Sequence, residues 1–140
     1  MKYLGIDYGT KRVGLAMSDD GGTLAFPLKI ISNDVFLIEA IAKICQTENI
    51  AEIVIGESFD LSGKANKIMG DINDFKTNLA ESLKLPISFQ KEFMTTVEAR
   101  GREGKEVNNA RKVAKPEQAQ ADASAAALIL QRFLDKKNLR

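Results

Sequence analysis

The sequence contains no histidine and only one cysteine among its 140 residues. Without histidine, the Ser-His and Cys-His catalytic arrangements are excluded, and so is the commonest zinc ligand. An internal disulfide is also excluded, because it needs two cysteines. Cys45 lies in an apolar helical pattern, so we interpret it as a buried packing residue and not as a nucleophile. Any acid-base or metal chemistry must therefore come from carboxylates, lysines or backbone groups.

Long apolar runs are missing as well: no segment approaches the length of a membrane span, and the N-terminus lacks a signal-peptide pattern. We therefore expect a cytoplasmic protein without a membrane partner, folded as a single domain over residues 1–140. The net charge is only +1, but residues 1–89 carry 9 basic and 12 acidic side chains, whereas residues 90–115 carry 7 basic and 4 acidic ones. This local basic excess is expected if one edge of the protein meets phosphate.

Hydrophobic periodicity predicts three strands, a helix, a strand, a helix, a strand and a final helix. Pro27 cannot donate a ladder hydrogen bond, which places the third strand at a sheet edge. Strands that follow crossover helices should run parallel to the first strand. The prediction is an α/β fold with one mixed five-stranded sheet in the order 3-2-1-4-5, its first three strands antiparallel. The predicted strands are 2–8, 12–18, 23–31, 52–56 and 87–91. The first predicted helix follows the N-cap residues 32–34, the second follows Gly63, and the last has Pro116 in its first turn.

Asp7 is the first candidate functional residue. It comes at the end of the apolar run Tyr3–Ile6, where a buried carboxylate is costly unless it is paired, hydrogen-bonded or bound to metal. The glycines that follow let a backbone approach closely, and Lys11 and Arg12 supply positive charge. The alternative is that Asp7 caps a hairpin turn.

Asp122 and Glu92 are the other two candidates. The helical pattern puts Asp122 on the same stripe as Ala125 and Ile129, so its carboxylate should point toward the sheet. The alternative for Asp122 is an acid in the first helical turn, favoured by the helix dipole. Glu92 directly follows the fifth predicted strand, and ligands gather at strand ends in such sheets. The alternative for Glu92 is a solvated charge.

The predicted sheet allows these three carboxylates to converge, since strand 1 is central, strand 5 is within reach and the last helix lies across them. Three carboxylates at contact distance repel one another unless cations lie among them, and oxygen-only ligands suit Mg²⁺ or Mn²⁺. A pair of such ions roughly 3.5–4 Å apart can activate water and stabilise the leaving oxygen in phosphodiester cleavage. We therefore predict Asp7, Glu92 and Asp122 as catalytic metal ligands.

Three segments carry a family resemblance: the opening YLGIDYGTKRVGLAMSD, then EFMTTVEAR at 92–100, and the ending DASAAALILQRFLD at 122–135. In this order they resemble the YqgF family, whose members are described as Holliday junction resolvases or pre-16S rRNA nucleases. The resemblance implies an RNase H-like fold with helices on both faces of the sheet, a bacterial cytoplasmic setting and metal-dependent nuclease activity. By position, the family's functional residues fall on Asp7, Arg12, Glu92, Thr95, Thr96 and Asp122.

Two positions depart from the pattern of that family. It usually has Asp-Glu-Arg around the second acid, whereas this chain has Lys91, Glu92 and Phe93. The missing arginine would be a phosphate or carboxylate clamp, for which Lys91 is a partial substitute. The loop after strand 4 usually reads Gly-Leu-Pro, and here Glu57 stands in the second place. Related resolvases carry a metal-binding acid at that strand end, so Glu57 is an additional candidate ligand; a solvated loop charge is the alternative.

Positively charged and hydroxyl side chains around the acids are predicted to contact phosphates. Many belong to a polar, basic loop predicted at 101–115, and ordinary solvated charge is the alternative for each of them. The predicted nucleic-acid-binding residues are Lys11, Arg12, Lys91, Thr95, Thr96, Arg100, Arg102, Lys105, Arg111, Lys112 and Lys115.

The leading functional hypothesis is a nuclease that acts on ribosomal RNA precursor at the 5′ end of 16S rRNA, with the ribosome as a further partner. Cleavage of Holliday junctions is the first alternative, and it would require a homodimer, because two strands must be cut symmetrically; a monomer would favour the RNA role. A catalytically weakened nucleic-acid-binding module of the same fold is the second alternative. An actin-like ATPase shares the DxGT spacing but needs two such domains, so we disfavour it.

Overall fold

A computed structural model describes residues 1–59, 67–93 and 123–139 of the chain. In these ranges the strands and helices follow the predicted order, and no helix there is long and apolar enough to cross a membrane. The elements are β1 (Lys2–Tyr8), β2 (Arg12–Ser18), β3 (Ala25–Ser32), α1 (Leu37–Glu48), β4 (Ile50–Phe59), α2 (Met69–Leu83), β5 (Ile87–Phe93) and α3 (Ala123–Lys137).

The five strands form one sheet in the order β3-β2-β1-β4-β5, which confirms the predicted topology. β1 and β3 pair with β2 in antiparallel fashion, and β4 pairs in parallel with both β1 and β5. Pro27 lies on the edge strand β3, as predicted. The register between β2 and β3 shifts between Leu15 and Ala16, next to Pro27. A residue without an amide hydrogen is tolerated at such an edge irregularity.

Each face of the sheet has its own apolar core, because successive side chains of a strand point to opposite faces. On one face, side chains such as Ile6 and Ile55 pack with α1 and α2. On the other face, Tyr3 and Val54 pack with α3. The predicted cover of helices on both faces is therefore confirmed. Cys45 belongs to the first core, where burial raises the pKa of its thiol to about 11 and leaves it a packing residue, as predicted.

The first helix begins later than its predicted N-cap. Asp34 accepts a hydrogen bond on Oδ1 from the Phe36 amide at 2.9 Å, and its carbonyl accepts one from the Leu37 amide at 3.0 Å. This local turn satisfies the side chain that was predicted to cap the helix, and aspartate side chains commonly compete with helix formation in this way. α1 therefore starts at Leu37.

β4 and β5 are both longer than predicted. β4 runs to Phe59 and β5 to Phe93, since the parallel pairing of the two strands continues through Ser58 opposite Glu92. Glu92 was predicted to follow the strand and Glu57 to lie in a loop, and both expectations are wrong. Because both residues lie inside strands, the alternation of the strands decides which face of the sheet each side chain occupies.

α3 packs closely on the sheet because β1 and β4 carry glycines beneath it. A Cβ on Gly5 would lie 2.7 Å from the Cβ of Leu130 and 3.0 Å from the carbonyl oxygen of Ala126. A Cβ on Gly56 would lie 2.6 Å from Cδ1 of Ile129. Both distances are inside van der Waals contact. At Gly5 the near atoms include the helix backbone, so a side chain there would push α3 away, whereas at Gly56 the near atom is the flexible end of Ile129.

The contacts along β1 give the direction of α3. Gly5 lies against Ala126, near the start of the helix, whereas the ring of Tyr3 lies 6.0 Å from the ring of Phe133, near its end. α3 therefore runs antiparallel to β1. Its N-terminal end is directed toward the C-terminal end of β1, where Asp7 lies.

We predict that Gly5→Ala destabilises the protein by about 1–3 kcal/mol, because the helix must move away from the added methyl group. The measurement is the free energy of unfolding in urea. Gly70→Ala is the matched control, since Gly70 lies in α2 and a Cβ there meets nothing within 4 Å. The control should leave stability unchanged or raise it slightly, because alanine favours helix more than glycine does. Equal effects of the two substitutions would contradict the close packing of α3.

Candidate active site

Asp7 lies at the C-terminal end of the central strand β1, on the face of the sheet that α3 covers. In β1 it follows Tyr3 and Gly5 at intervals of two, and both of these face α3. It is paired with Gly14 of β2, a residue without a side chain, and it is half-buried. Gly14 therefore places no side chain of β2 beside the carboxylate. Asp7 as a metal ligand stays a prediction.

Glu92 lies on the same face as Asp7, with one strand between them. Ile6 pairs with Ile55, so Asp7 lies level with Gly56 on the adjacent strand. Cγ of Glu92 lies 3.6 Å from the place that a Cβ of Gly56 would occupy. The side chain of Glu92 thus leans over β4 in the direction of β1. Two strand spacings of about 4.8 Å separate β1 from β5 by roughly 10 Å. Glu92 lies two residues further along β5 than Gln90, which is the residue level with Gly56.

Arg132 of α3 is the charged partner of Glu92. Its Nη1 donates a hydrogen bond to Oε2 of Glu92 at 3.2 Å, and the two side chains are 48% and 23% exposed. Burial raises the pKa of Glu92 above its ordinary value, while the charge and the hydrogen bond of Arg132 pull it down. Burial is the larger effect, so the surroundings disfavour the ionised carboxylate despite the arginine.

Asp122 lies outside the described residues, immediately before the first residue of α3. The N-terminal end of that helix is directed toward the C-terminal end of β1, as shown above. Within residues 1–59, 67–93 and 123–139, no three potential ligand side chains gather as a metal cluster. This part of the chain brings two carboxylates, Asp7 and Glu92, to one face, and Asp122 as the third ligand stays a prediction.

Glu57 and Lys91 are on the opposite face of the sheet. Glu57 alternates with Ile53 and Ile55, which face α1 and α2, and Lys91 is its partner in the parallel register. The structure therefore does not bring Glu57 to Asp7, nor Lys91 to the carboxylate of Glu92. For Glu57 the physical reason is the length of β4, which places this residue in regular strand. Lys91 lies in β5 as predicted, and the alternation of that strand puts it on this face.

The turn between β1 and β2 carries two predicted phosphate ligands. Arg12 begins β2 on the face that carries Asp7, and Lys11 is exposed in the turn itself. Asn33 holds this turn: its Nδ2 donates to the carbonyl of Gly9 at 2.7 Å, and its amide donates to the carbonyl of Lys11 at 2.9 Å. Asn33 was interpreted as helix-cap chemistry, and the structure gives it this different role.

The remaining predicted site residues fall in the part of the chain that the structure does not describe. They include the residues of the predicted basic loop at 101–115. The phosphate ligands concerned are Thr95, Thr96, Arg100, Arg102, Lys105, Arg111, Lys112 and Lys115.

Arg132 was not among the predicted site residues. Its spacing could have indicated a role, because Arg132 follows Ile129 by three residues and therefore lies on the sheet-facing side of the helix. A charge in that position calls for a partner. The partner itself depends on how α3 crosses β5, which no local pattern reveals.

The donor atoms of the site suit a hard divalent cation. Asp7 and Glu92 offer only carboxylate oxygens, which Mg²⁺ and Mn²⁺ prefer. A cation beside Glu92 would also offset the cost of its burial. The described residues thus fit the metal that the sequence predicts.

Comparisons with known proteins give one consistent result. The family model described as "RuvX: Holliday junction resolvase" matches residues 1–136. A protein of Nitratidesulfovibrio vulgaris (strain DSM 19637 / Miyazaki F) named "Putative pre-16S rRNA nuclease" is 35% identical over 96% of this chain and 94% of its own length. A protein of the same name from Protochlamydia amoebophila (strain UWE25) is 30% identical over 97% of this chain and 94% of its own length.

Solved structures share the fold. RuvC of T. thermophilus in complex with a Holliday junction substrate superposes with a TM-score of 0.59 at 15% identity, covering 98% of this chain and 96% of that one. The fowlpox virus Holliday junction resolvase has a TM-score of 0.51 at 11% identity, covering 99% of this chain and all 100% of that one. At these identities the likeness concerns the fold, and it agrees with the predicted RNase H-like architecture.

The pKa of Glu92 predicts how a substitution changes stability with pH. Because the folded state raises this pKa, the contribution of Glu92 to stability is present at low pH and is lost as pH rises through the folded-state pKa. Glu92→Gln cannot ionise, so its stability relative to the unsubstituted protein should increase from pH 4 to pH 8. Urea unfolding without divalent metal measures this difference.

Glu81→Gln, at an exposed position of α2, controls for the loss of one negative charge. If the stability of Glu92→Gln relative to the unsubstituted protein instead decreases as pH rises, burial is not the dominant influence on the pKa of Glu92.

Proposed function

The chain belongs to the RuvX Holliday junction resolvase family, and on this basis we propose that it is a metal-dependent nuclease that hydrolyses phosphodiester bonds in structured nucleic acid. The observation that carries this proposal is the placement of Asp7 and Glu92. Both carboxylates lie at the C-terminal ends of parallel strands, on the face covered by α3. Partly buried acids on one face of a sheet are costly for folding and useful for holding cations.

The proposed substrate is ribosomal RNA precursor, cleaved in forming the 5′ end of 16S rRNA. Relatives that match this chain over nearly its whole length carry the name of that activity. The proposal includes a cytoplasmic setting, where such precursors are processed, and the ribosome as a further partner.

Asp7, Glu92 and Asp122 would hold the metal, with Mg²⁺ or Mn²⁺ as the ions that match their oxygens. Two ions bound there would activate the attacking water and stabilise the leaving oxygen. Glu57 is a weaker candidate for a ligand, because its side chain belongs to the other face of the sheet.

Positively charged residues beside the acids would orient the phosphate. Arg12 shares the face of Asp7, and Lys11 stands in a turn that Asn33 fastens through two hydrogen bonds. Fixing this turn before the substrate arrives lowers the entropic cost of positioning the phosphate. The basic residues between 100 and 115 would extend the contact along the nucleic-acid backbone.

Cleavage of four-way DNA junctions is the second candidate function. It is favoured by the description of the matching family and by the fold shared with junction resolvases. Symmetric cleavage of two strands requires two active sites, so this function would need a homodimer, whereas a monomer suffices for the RNA precursor.

We predict that Asp7→Asn and Asp122→Asn each lower cleavage on the order of 100-fold or more, because each removes a charged metal ligand. The assay uses Mg²⁺ or Mn²⁺ with labelled rRNA precursor, single-stranded DNA and a four-way junction as parallel substrates. Preferred cleavage of the precursor supports the RNA role, and paired symmetric cuts in the junction support the resolvase role.

Glu81→Gln is the matched control, since it also removes one carboxylate, at an exposed position of α2 away from the α3 face. It should cleave at close to the rate of the unsubstituted protein. Cleavage that persists in both Asp7→Asn and Asp122→Asn would refute the assigned site. Nucleic-acid binding without cleavage by the unsubstituted protein would indicate the catalytically weakened module instead.

A further inference from the structure

Glu92 has one contact that its proposed role as a metal ligand does not require: the ion pair with Arg132. The two residues are 40 positions apart in sequence and belong to different elements, β5 and α3. The side chain of Glu92 is 23% exposed and that of Arg132 is 48% exposed, so the contact lies where a partly shielded carboxylate meets a more exposed guanidinium. Hydrogen bonds between ionised groups are shorter and more directional than those between neutral groups.

The packing of α3 explains how Arg132 reaches Glu92. Ile129 fills the space that Gly56 leaves open, and the Glu92 stem passes along the same gap, 3.6 Å from where a Cβ of Gly56 would lie. Arg132 is three residues beyond Ile129, on the same side of the helix. The packing of Ile129 against Gly56 therefore also places the guanidinium of Arg132 next to the carboxylate of Glu92.

The hydrogen bond occupies one carboxylate oxygen. Nη1 of Arg132 donates to Oε2 of Glu92. A guanidinium can engage both oxygens of a carboxylate in a bidentate pair. Here, among the described residues, Arg132 engages Oε2, so this hydrogen bond restrains the carboxylate through one of its two oxygens.

We propose that Arg132 is a positioning residue that holds the Glu92 carboxylate in the orientation in which it binds the divalent metal. This inference rests on the proposed function, since it takes Glu92 as a metal ligand. Partners that orient metal ligands in this way generally contribute about 10- to 100-fold to metal affinity.

Neither of the two residues next to Glu92 in sequence offers a charge on its face of the sheet. Lys91 faces α1 and α2, on the far side of the sheet. The residue after Glu92 is Phe93, where the pattern of the YqgF family has an arginine. Arg132 supplies from α3 the carboxylate clamp that β5 lacks.

Binding of Mn²⁺ alone, followed by calorimetry without nucleic acid, tests the inference. Arg132→Gln should weaken binding by about 10- to 100-fold. Arg132→Lys should recover part of this loss, because lysine keeps the charge but has a shorter, single-point donor. Lys136→Gln is the matched control: it removes one positive charge from an exposed position of the same helix and should bind Mn²⁺ nearly as the unsubstituted protein does.

A double-mutant cycle separates positioning from a general structural effect. If Arg132 acts through Glu92, then Arg132→Gln adds no further loss of affinity when Glu92→Gln is already present. Urea unfolding of each variant verifies that the change in affinity does not follow a loss of fold.

Three outcomes would contradict the inference or the proposed function, and the binding data distinguish between them. If Glu92→Gln weakens Mn²⁺ binding but Arg132→Gln matches Lys136→Gln, the inference fails and the proposed site stands. If Arg132→Gln binds Mn²⁺ more tightly, the arginine merely repels the ion and the inference again fails. If Glu92→Gln binds Mn²⁺ as the unsubstituted protein does, the ligand assignment under the proposed function fails.

Discussion

The close packing of α3 against the sheet is the constraint on which the rest of the site depends. Gly5 and Gly56 lack side chains where α3 crosses β1 and β4; a methyl group at Gly5 would overlap Leu130 and the helix backbone, and one at Gly56 would overlap the side-chain end of Ile129. This packing fixes the helix along a line that directs its N-terminal end toward Asp7 and places Arg132 over Glu92. Two glycines in neighbouring strands thus govern the positions of charged groups on a third strand and on a helix.

The two faces of the sheet divide structural and chemical roles. Large aliphatic side chains fill the face covered by α1 and α2, whereas the α3 face carries glycines, small residues and carboxylates toward one end. The glycines admit α3 to this face, and the carboxylates lie toward the end at which a substrate phosphate and its cations would bind. Burial raises the pKa of Glu92 even with Arg132 beside it, so the fold keeps a group that is unfavourable for stability. A divalent cation is the partner that would offset this cost.

Much of the fold could be predicted from the sequence because its signals are local. The order of elements, the edge position of β3 and the apolar face of α2 follow from periodicity and from Pro27. The ends of β4 and β5 could not be predicted, since parallel pairing extends each strand beyond its apolar run. Glu57 was expected in a loop, from which it could turn toward the site. As a residue of β4 it lies on the face opposite Asp7, because a residue in a strand cannot change faces.

Only the part of the site that has a local signal in the sequence could be predicted. Asp7 stands out locally as a carboxylate in an apolar strand. Arg132 and Asn33 became functional candidates only through contacts with distant segments, at Glu92 and at the turn that carries Lys11. Such contacts depend on the docking of helices and strands, which the hydrophobic pattern permits without specifying.

The central claim is that Asp7 and Glu92 face one another across β4 as ligands of a shared divalent metal site. Its most direct test is a crystal structure of the full chain with Mn²⁺, in which anomalous scattering locates the ions without regard to activity. The account predicts Mn²⁺ on the α3 face, bound by carboxylate oxygens of Asp7 and Glu92. Well-ordered Asp7 and Glu92 side chains without Mn²⁺ between them, at a metal concentration that supports cleavage, would contradict it.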